Sequence, residues 1–188
     1  AEADAGNPLG WTALLWAALS DQVDAMSLLL DRGCEVSDKI LILVSWTGHA
    51  PAMGRLLAAA SREQVVGLRT DESKQGLLHL AVGGLAYEKS LVEEHLRTLD
   101  LLLDARCDVQ GVEGRSGRTV LQKYVGDRHW LTDGLEEKPQ HLQAVRRLLW
   151  AAADPWARGP GGESAVEIAE RQGLRRLRAA LSANPASA

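Results

Sequence analysis

At 188 residues, with 46% hydrophobic and 24% charged residues, the chain has ordinary globular usage, which excludes a disordered segment or a coiled coil as its main architecture. A formal net charge of -4 gives no general pull toward nucleic acid or an anionic membrane, and no apolar run reaches the roughly 18 residues of a membrane span. Six Trp, two Tyr and no Phe leave tryptophan carrying nearly all of the aromatic chemistry.

Residues 1–9 are small and polar, broken by Gly6, Asn7 and Pro8, and read as a lead-in. From Gly10 to Val36 the pattern changes. Thr12 opens an apolar helix, Ala13-Leu14-Leu15-Trp16-Ala17-Ala18-Leu19, a polar turn breaks it, and a second helix ends in Leu28-Leu29-Leu30 before Gly33. The unit recurs. A worn copy runs from Lys39 through Gly48-His49 to Leu56-Leu57, and a third carries Gly76-Leu77-Leu78-His79-Leu80-Ala81 and ends in Leu102-Leu103-Asp104-Ala105-Arg106-Cys107, with Arg106 where the first copy has its closing Gly33. A fourth has Gly117-Arg118-Thr119-Val120-Leu121 and Leu148-Leu149-Trp150, and a fifth has Ser164-Ala165-Val166-Glu167-Ile168-Ala169 and Gly173.

Thr12, Leu14, Ala17, Ala18, Leu29, Leu30, Gly33 and Val36 fall on a known pattern, G-x-T-P-L-H-x-A-A followed by L-L-x-x-G-A-D-V, and His79 supplies its His in the third copy. The chain resembles the ankyrin-repeat family over nearly its whole length. The resemblance implies an all-α solenoid of about five stacked helix-turn-helix repeats in one domain spanning residues 1–188. The repeats lie near 10–38, 39–70, 71–110, 111–155 and 156–182, with a loose tail at 183–188.

Counted from the position of the opening Thr, the repeats start at 12, 39, 76, 119 and 164. The first spacing is short against the family period of about 33 residues, because Val36-Ser37-Asp38 leads straight into Ile40 and leaves no room for a two-stranded finger. Ala58 to Thr70 reads as a linker, and Asp71-Glu72-Ser73-Lys74 as a finger. Later spacings are long, which implies insertions between the helices of repeats 3 and 4: Gly83-Gly84 is expected to break a helix before one long helix from Tyr87 to Arg106. A polar insert, Gly126 to Pro139, follows in repeat 4. Glu163, Glu167, Glu170, Arg171, Arg175, Arg176 and Arg178 clothe the last repeat as a cap.

Cys34 and Cys107 hold the same register position two repeats apart. Stacked helices lie about 8–10 Å apart, so these two are separated by about 16–20 Å, beyond the ~7 Å reach of a disulfide. Both read as small buried residues.

No catalytic, cofactor-binding or metal constellation stands out. Asp127, His129, Asp133 and His141 gather in the repeat 4 insert without zinc-ligand spacing or a nucleophile-base pair, so an enzyme is the weakest alternative. Nucleic-acid binding would rest on Arg146, Arg147, Arg171, Arg175, Arg176 and Arg178, which equally solubilise a cap. The resemblance implies non-enzymatic binding of another protein by finger tips and exposed first-helix ends lining a concave groove, with no cofactor. Those places fall on Leu9, Trp11, Leu19, Trp46, Gln75, Arg115, Arg118, Asp127 and Glu163. Trp130, Trp150 and Trp156 form a candidate second edge. Trp11 and Trp46 have core packing as the alternative, and Trp16 is expected in the core. By analogy, a small chain of this kind with bacterial-looking composition suits an immunity or inhibitor protein occluding a toxin or effector. A cytoplasmic location is expected, or a periplasmic one if Ala1-Glu2-Ala3-Asp4 is the mature end left by a signal peptidase.

Overall fold

The computed structural model describes residues 11–87, 91–127 and 139–183, and every regular element within them is helical. In chain order these are α1 (Ala13–Leu19), α2 (Val23–Asp31), α3 (Asp38–Thr47), α4 (Ala50–Ala59), α5 (Arg62–Gly67), α6 (Leu77–Tyr87) and α7 (Val92–Asp104). They continue with α8 (Val120–Gly126), α9 (Pro139–Trp150), α10 (Ala165–Arg171) and α11 (Arg175–Ser182). Helices α1, α3, α6, α8 and α10 stack side by side as one layer, and α2, α4, α7, α9 and α11 as a second behind it. The core lies between the layers, where Leu14, Leu41, Leu78, Leu121 and Leu177 are all buried. Each such leucine contributes about 1.5–3 kcal/mol, and because no pair buries its apolar face alone the stack holds together through its neighbours.

Local sequence sets where helices start and stop. Thr12, Thr119 and Ser164 open α1, α8 and α10 by accepting hydrogen bonds from the amides of Leu15, Gln122 and Glu167; at the last two a reciprocal bond from the third residue completes a capping box. Behind α2, α7 and α9 the chain turns through left-handed residues, Gly33 (φ 83°), Arg106 (φ 63°) and Ala152 (φ 66°). After each, the next amide reaches back five residues: Cys34 to Leu29 O at 3.1 Å, Cys107 to Leu102 O at 3.1 Å, Ala153 to Leu148 O at 2.9 Å. One closing geometry is thus kept whether or not the position is glycine. Cys34 and Cys107 are both buried free thiols, and burial raises the Cys107 pKa to about 11.

Four expectations need correction. Residues 58–70 are not a plain linker, since Ser61 caps the extra helix α5 through the Gln64 amide. Gly83-Gly84 does not break a helix: α6 runs through both, and the missing side chains let α3 approach. A Cβ on Gly83 would lie 2.7 Å from Trp46 Cζ3, and one on Gly84 would collide with the Trp46 carbonyl. The long helix expected from Tyr87 to Arg106 is instead the end of α6 at Tyr87 and a separate α7 from Val92 to Asp104. Trp16 is also not core. Leu14, Leu15, Ala17 and Ala18 take the buried positions of α1, so Trp16 falls on the remaining stripe and is 56% exposed, its ring 4.7 Å from that of Trp11.

Fingers project where the sequence leaves room for them. Thr70–Gln75 closes through Thr70 N–H to Gln75 O at 3.0 Å, and Glu113–Arg118 through Glu113 N–H to Arg118 O at 3.0 Å. Gly114 N–H donates to Ser73 O at 2.8 Å, which ties the two fingers into one rim. A third turn at Gly159–Gly162 sets Pro160 against Gly117, whose φ of 64° and lack of a Cβ both permit that contact. Between α2 and α3 the chain passes directly from Val36 to Asp38, so the wall there is low.

Candidate protein-binding face

The middle helix of the first layer is α6, whose residues from Leu77 to Ala86 are buried, as expected for a helix apolar on every side. At one flank, Trp46 leaves the end of α3 and lies over Gly83 with 39% of its surface exposed. At the other, Arg118 rises from the foot of the second finger with its guanidinium alongside Gly126, where a Cβ would sit 3.1 Å from Nη1. Arg118 makes no ion pair among the described residues, and Arg115 at the finger tip is exposed.

Other sequence-named positions serve the framework. Gln75 Nε2 donates to Glu113 Oε2 at 2.7 Å. Glu113 is only 6% exposed and also takes the Ser116 hydroxyl, while Lys123 Nζ stands 3.9 Å away. Burial pushes the Glu113 carboxyl up, but the hydrogen bonds from Ser116 and Gln75 and the nearby Lys123 charge outweigh it and hold the group below its usual range. Asp127 pairs with Lys123 at 3.1 Å. Glu163 takes two hydrogen bonds from Arg171, at 2.8 and 3.0 Å. Its carbonyl accepts from Gln122 Nε2 at 2.7 Å, so the capping residue of α8 also anchors the third turn. His79 lies beneath the second finger with Nε2 3.2 Å from Arg118 O, and burial lowers its pKa despite that bond and the Glu113 charge.

Trp11 is half-buried against Trp16, with Lys39 Nζ 5.5 Å from its ring centroid, and Leu19 packs at the edge of the core. Trp150 at the end of α9 and Trp156 in the segment before α10 are both exposed. Trp130, like His129 and Asp133 of the candidate catalytic cluster, lies outside the described residues, as do the whole lead-in, with Leu9, and the tail beyond residue 183. His141 is buried in α9 and its Nδ1 is 2.6 Å from the Tyr124 hydroxyl, well inside the core. The sequence did not single out Glu113, Gln122 or Lys123. Gln122 had a signal in Thr119-x-x-Gln122. Glu113 had none, because Gln75 is too distant in sequence to suggest the contact.

Residues 9–40 match the family model described as ankyrin repeat. The chain is similar to an ankyrin repeat domain from Acinetobacter baumannii AYE, with a TM-score of 0.74 at 22% identity over 96% of this chain and 85% of that one. It is similar also to the ankyrin repeat protein EF0377, with a TM-score of 0.71 at 20% identity over 97% and 85% of the two chains. The fold is that of the ankyrin-repeat proteins. No curated protein matches the chain in sequence. Ankyrin repeats generally mediate protein–protein interaction. Among the described residues no helix is long and apolar enough to cross a membrane.

Proposed function

We propose that this ankyrin solenoid is a non-enzymatic binding module that holds a partner protein in its concave groove, with Trp46, Arg115 and Arg118 as the contacting anchors. Trp11 and Leu19 extend the contact toward the first repeat; Gln75, Asp127 and Glu163 keep the fingers in place. The observation that carries this is the pairing of an exposed Trp46 with an Arg118 that makes no ion pair among the described residues, on either flank of the buried stretch Leu77 to Ala86 of α6. Trp and Arg are the side chains that most often dominate interface energies. In finer form, the module is an inhibitor or immunity protein that occludes a toxin or effector, since a small concave solenoid suits masking another protein's surface.

Nucleic acid is less well supported. Of the C-terminal arginines, Arg171 is matched by Glu163 at 2.8 Å and Arg178 by Glu170 at 3.5 Å, and neighbouring Arg158 pairs with Glu167, which reduces the charge this end offers to phosphates. Affinity capture from the native host, run in parallel with the parent and with Arg118→Ala, tests the proposal. A protein retained by the parent and lost by the variant supports it. Nucleic acid released steeply by salt overturns it.

A further inference from the structure

On the opposite face from the proposed binding groove, α7 and α9 enclose a second groove of about 920 Å³. One wall presents Asp100, Leu103 and Asp104, and the other Arg146, Arg147 and Trp150. Charge is segregated by wall, acid on α7 and base on α9. Trp150 is 72% exposed, more than any other large apolar side chain among the described residues. Arg147 reaches across to Asp100, its Nε 2.8 and 3.0 Å from the two carboxylate oxygens, so the walls are held at a fixed separation. Arg146 and Asp104 make no ion pair among the described residues.

Heights along the groove follow from the repeat register. Leu102-Leu103-Asp104 and Leu148-Leu149-Trp150 close equivalent helices, so Asp100 stands level with Arg146, and Asp104 level with Trp150. We infer that this groove is a self-association site, occupied by the same groove of a second copy across a two-fold axis running along the helices. That operation preserves height and exchanges the walls. Asp100 of each copy then faces Arg146 of the other, giving two symmetry-related ion pairs, and each Trp150 lies over the Leu103–Asp104 stretch opposite. An unrelated partner would need this order of acid, base and apolar surface independently, whereas a second copy supplies it by symmetry, as an isologous interface requires.

The area sets the strength. Two helices of 13 and 12 residues present a face of roughly 400 Å² per copy. That is about half of what each partner contributes to a stable complex. Association is therefore weak and concentration-dependent.

The test is sedimentation equilibrium of the full chain over about a hundredfold range of concentration at low salt, where exposed charge pairs act most strongly. The parent should pass from monomer to dimer across that range. Trp150→Ser, at a position too exposed to disturb the fold, should stay monomeric with an unchanged circular dichroism spectrum. Arg146→Asp and Asp100→Arg should each stay monomeric alone, and an equimolar mixture of the two should form a heterodimer. Should Asp100→Arg fail to fold through loss of its Arg147 contact, Trp150→Ser and Arg146→Asp still decide the outcome. A parent that remains monomeric throughout overturns the inference. So does a dimer that survives both variants, which would place the interface elsewhere. Because the concave face is untouched by these changes, the result is independent of the proposed function.

Discussion

Trp46 lies across the side of α6 where Gly83 has no side chain, its Cζ3 2.7 Å from the point a Cβ would occupy. One step further along, Gly84 meets the Trp46 carbonyl, and both Gly84 and Gly48 make room for the buried ring of His95. These glycines set how closely α3 and α6 approach, and hence how Trp46 is presented. Gly84→Ala should therefore destabilise the chain by about 1–3 kcal/mol through overpacking against backbone, although alanine is the better helix former. Thermal unfolding checks this, at about 2–4 °C of Tm per kcal/mol for a chain of this size. An unchanged or raised Tm would mean that the two helices can separate freely.

Glycine has the opposite effect behind the outer helices. Arg106 and Ala152 hold left-handed conformations at φ 63° and 66°, where Gly33 sits at 83°. Arg106→Gly and Ala152→Gly should each stabilise by about 1 kcal/mol, and Gly33→Ala should cost a similar amount. Chemical denaturation of the three variants measures this directly.

Much of the fold was legible in the sequence because the repeat spells its own punctuation. Thr12, Thr119 and Ser164 mark helix starts, and the shared closing position marks ends even where Arg106 replaces glycine. Gly83-Gly84 misled because a glycine pair that breaks an exposed helix is tolerated inside a buried one, where close packing compensates for its poor propensity. Trp16 misled because a motif position does not say which stripe of a seven-residue helix faces the neighbour. At the candidate face, the places of Trp46 near the end of α3 and of Arg118 beside the second finger were legible in the register. The Glu113 cluster did not, since its partners Gln75 and Lys123 come from separate repeats.

That cluster predicts acid sensitivity. Burial holds the His79 pKa below its usual 6.5, so the unfolded chain takes up the proton first as pH falls. The stability due to neutral His79 is full above about pH 6.5 and is lost as pH drops through the folded value. Glu113, also held low, acts in the same direction at lower pH. The groups facing His79 are Glu113, Lys123, Arg69 and the Arg118 carbonyl. His79→Gln should flatten the Tm profile in mildly acidic buffer. A parent profile level from neutral pH to about pH 5 would contradict this assignment.

Cys34 and Cys107 are buried free thiols, and the Cys107 value near 11 leaves little thiolate at neutral pH. Reducing agent should leave Tm nearly unchanged, and thiol-reactive probes should label the folded chain slowly and the denatured chain at once. Rapid native labelling of both would mean that the repeat register is wrong.

The central claim is tested most directly by measuring affinity for the captured partner and Tm on the same two variants, Trp46→Ala and Arg118→Ala. Each should weaken binding by about 2 kcal/mol, roughly thirtyfold. Arg118→Ala should melt like the parent. Trp46→Ala should cost less than the about 3–5 kcal/mol of a fully buried tryptophan, because 39% of its surface is exposed. If Arg118→Ala instead binds like the parent while Trp46→Ala only melts early, Trp46 is a core residue and the concave face is not the binding site.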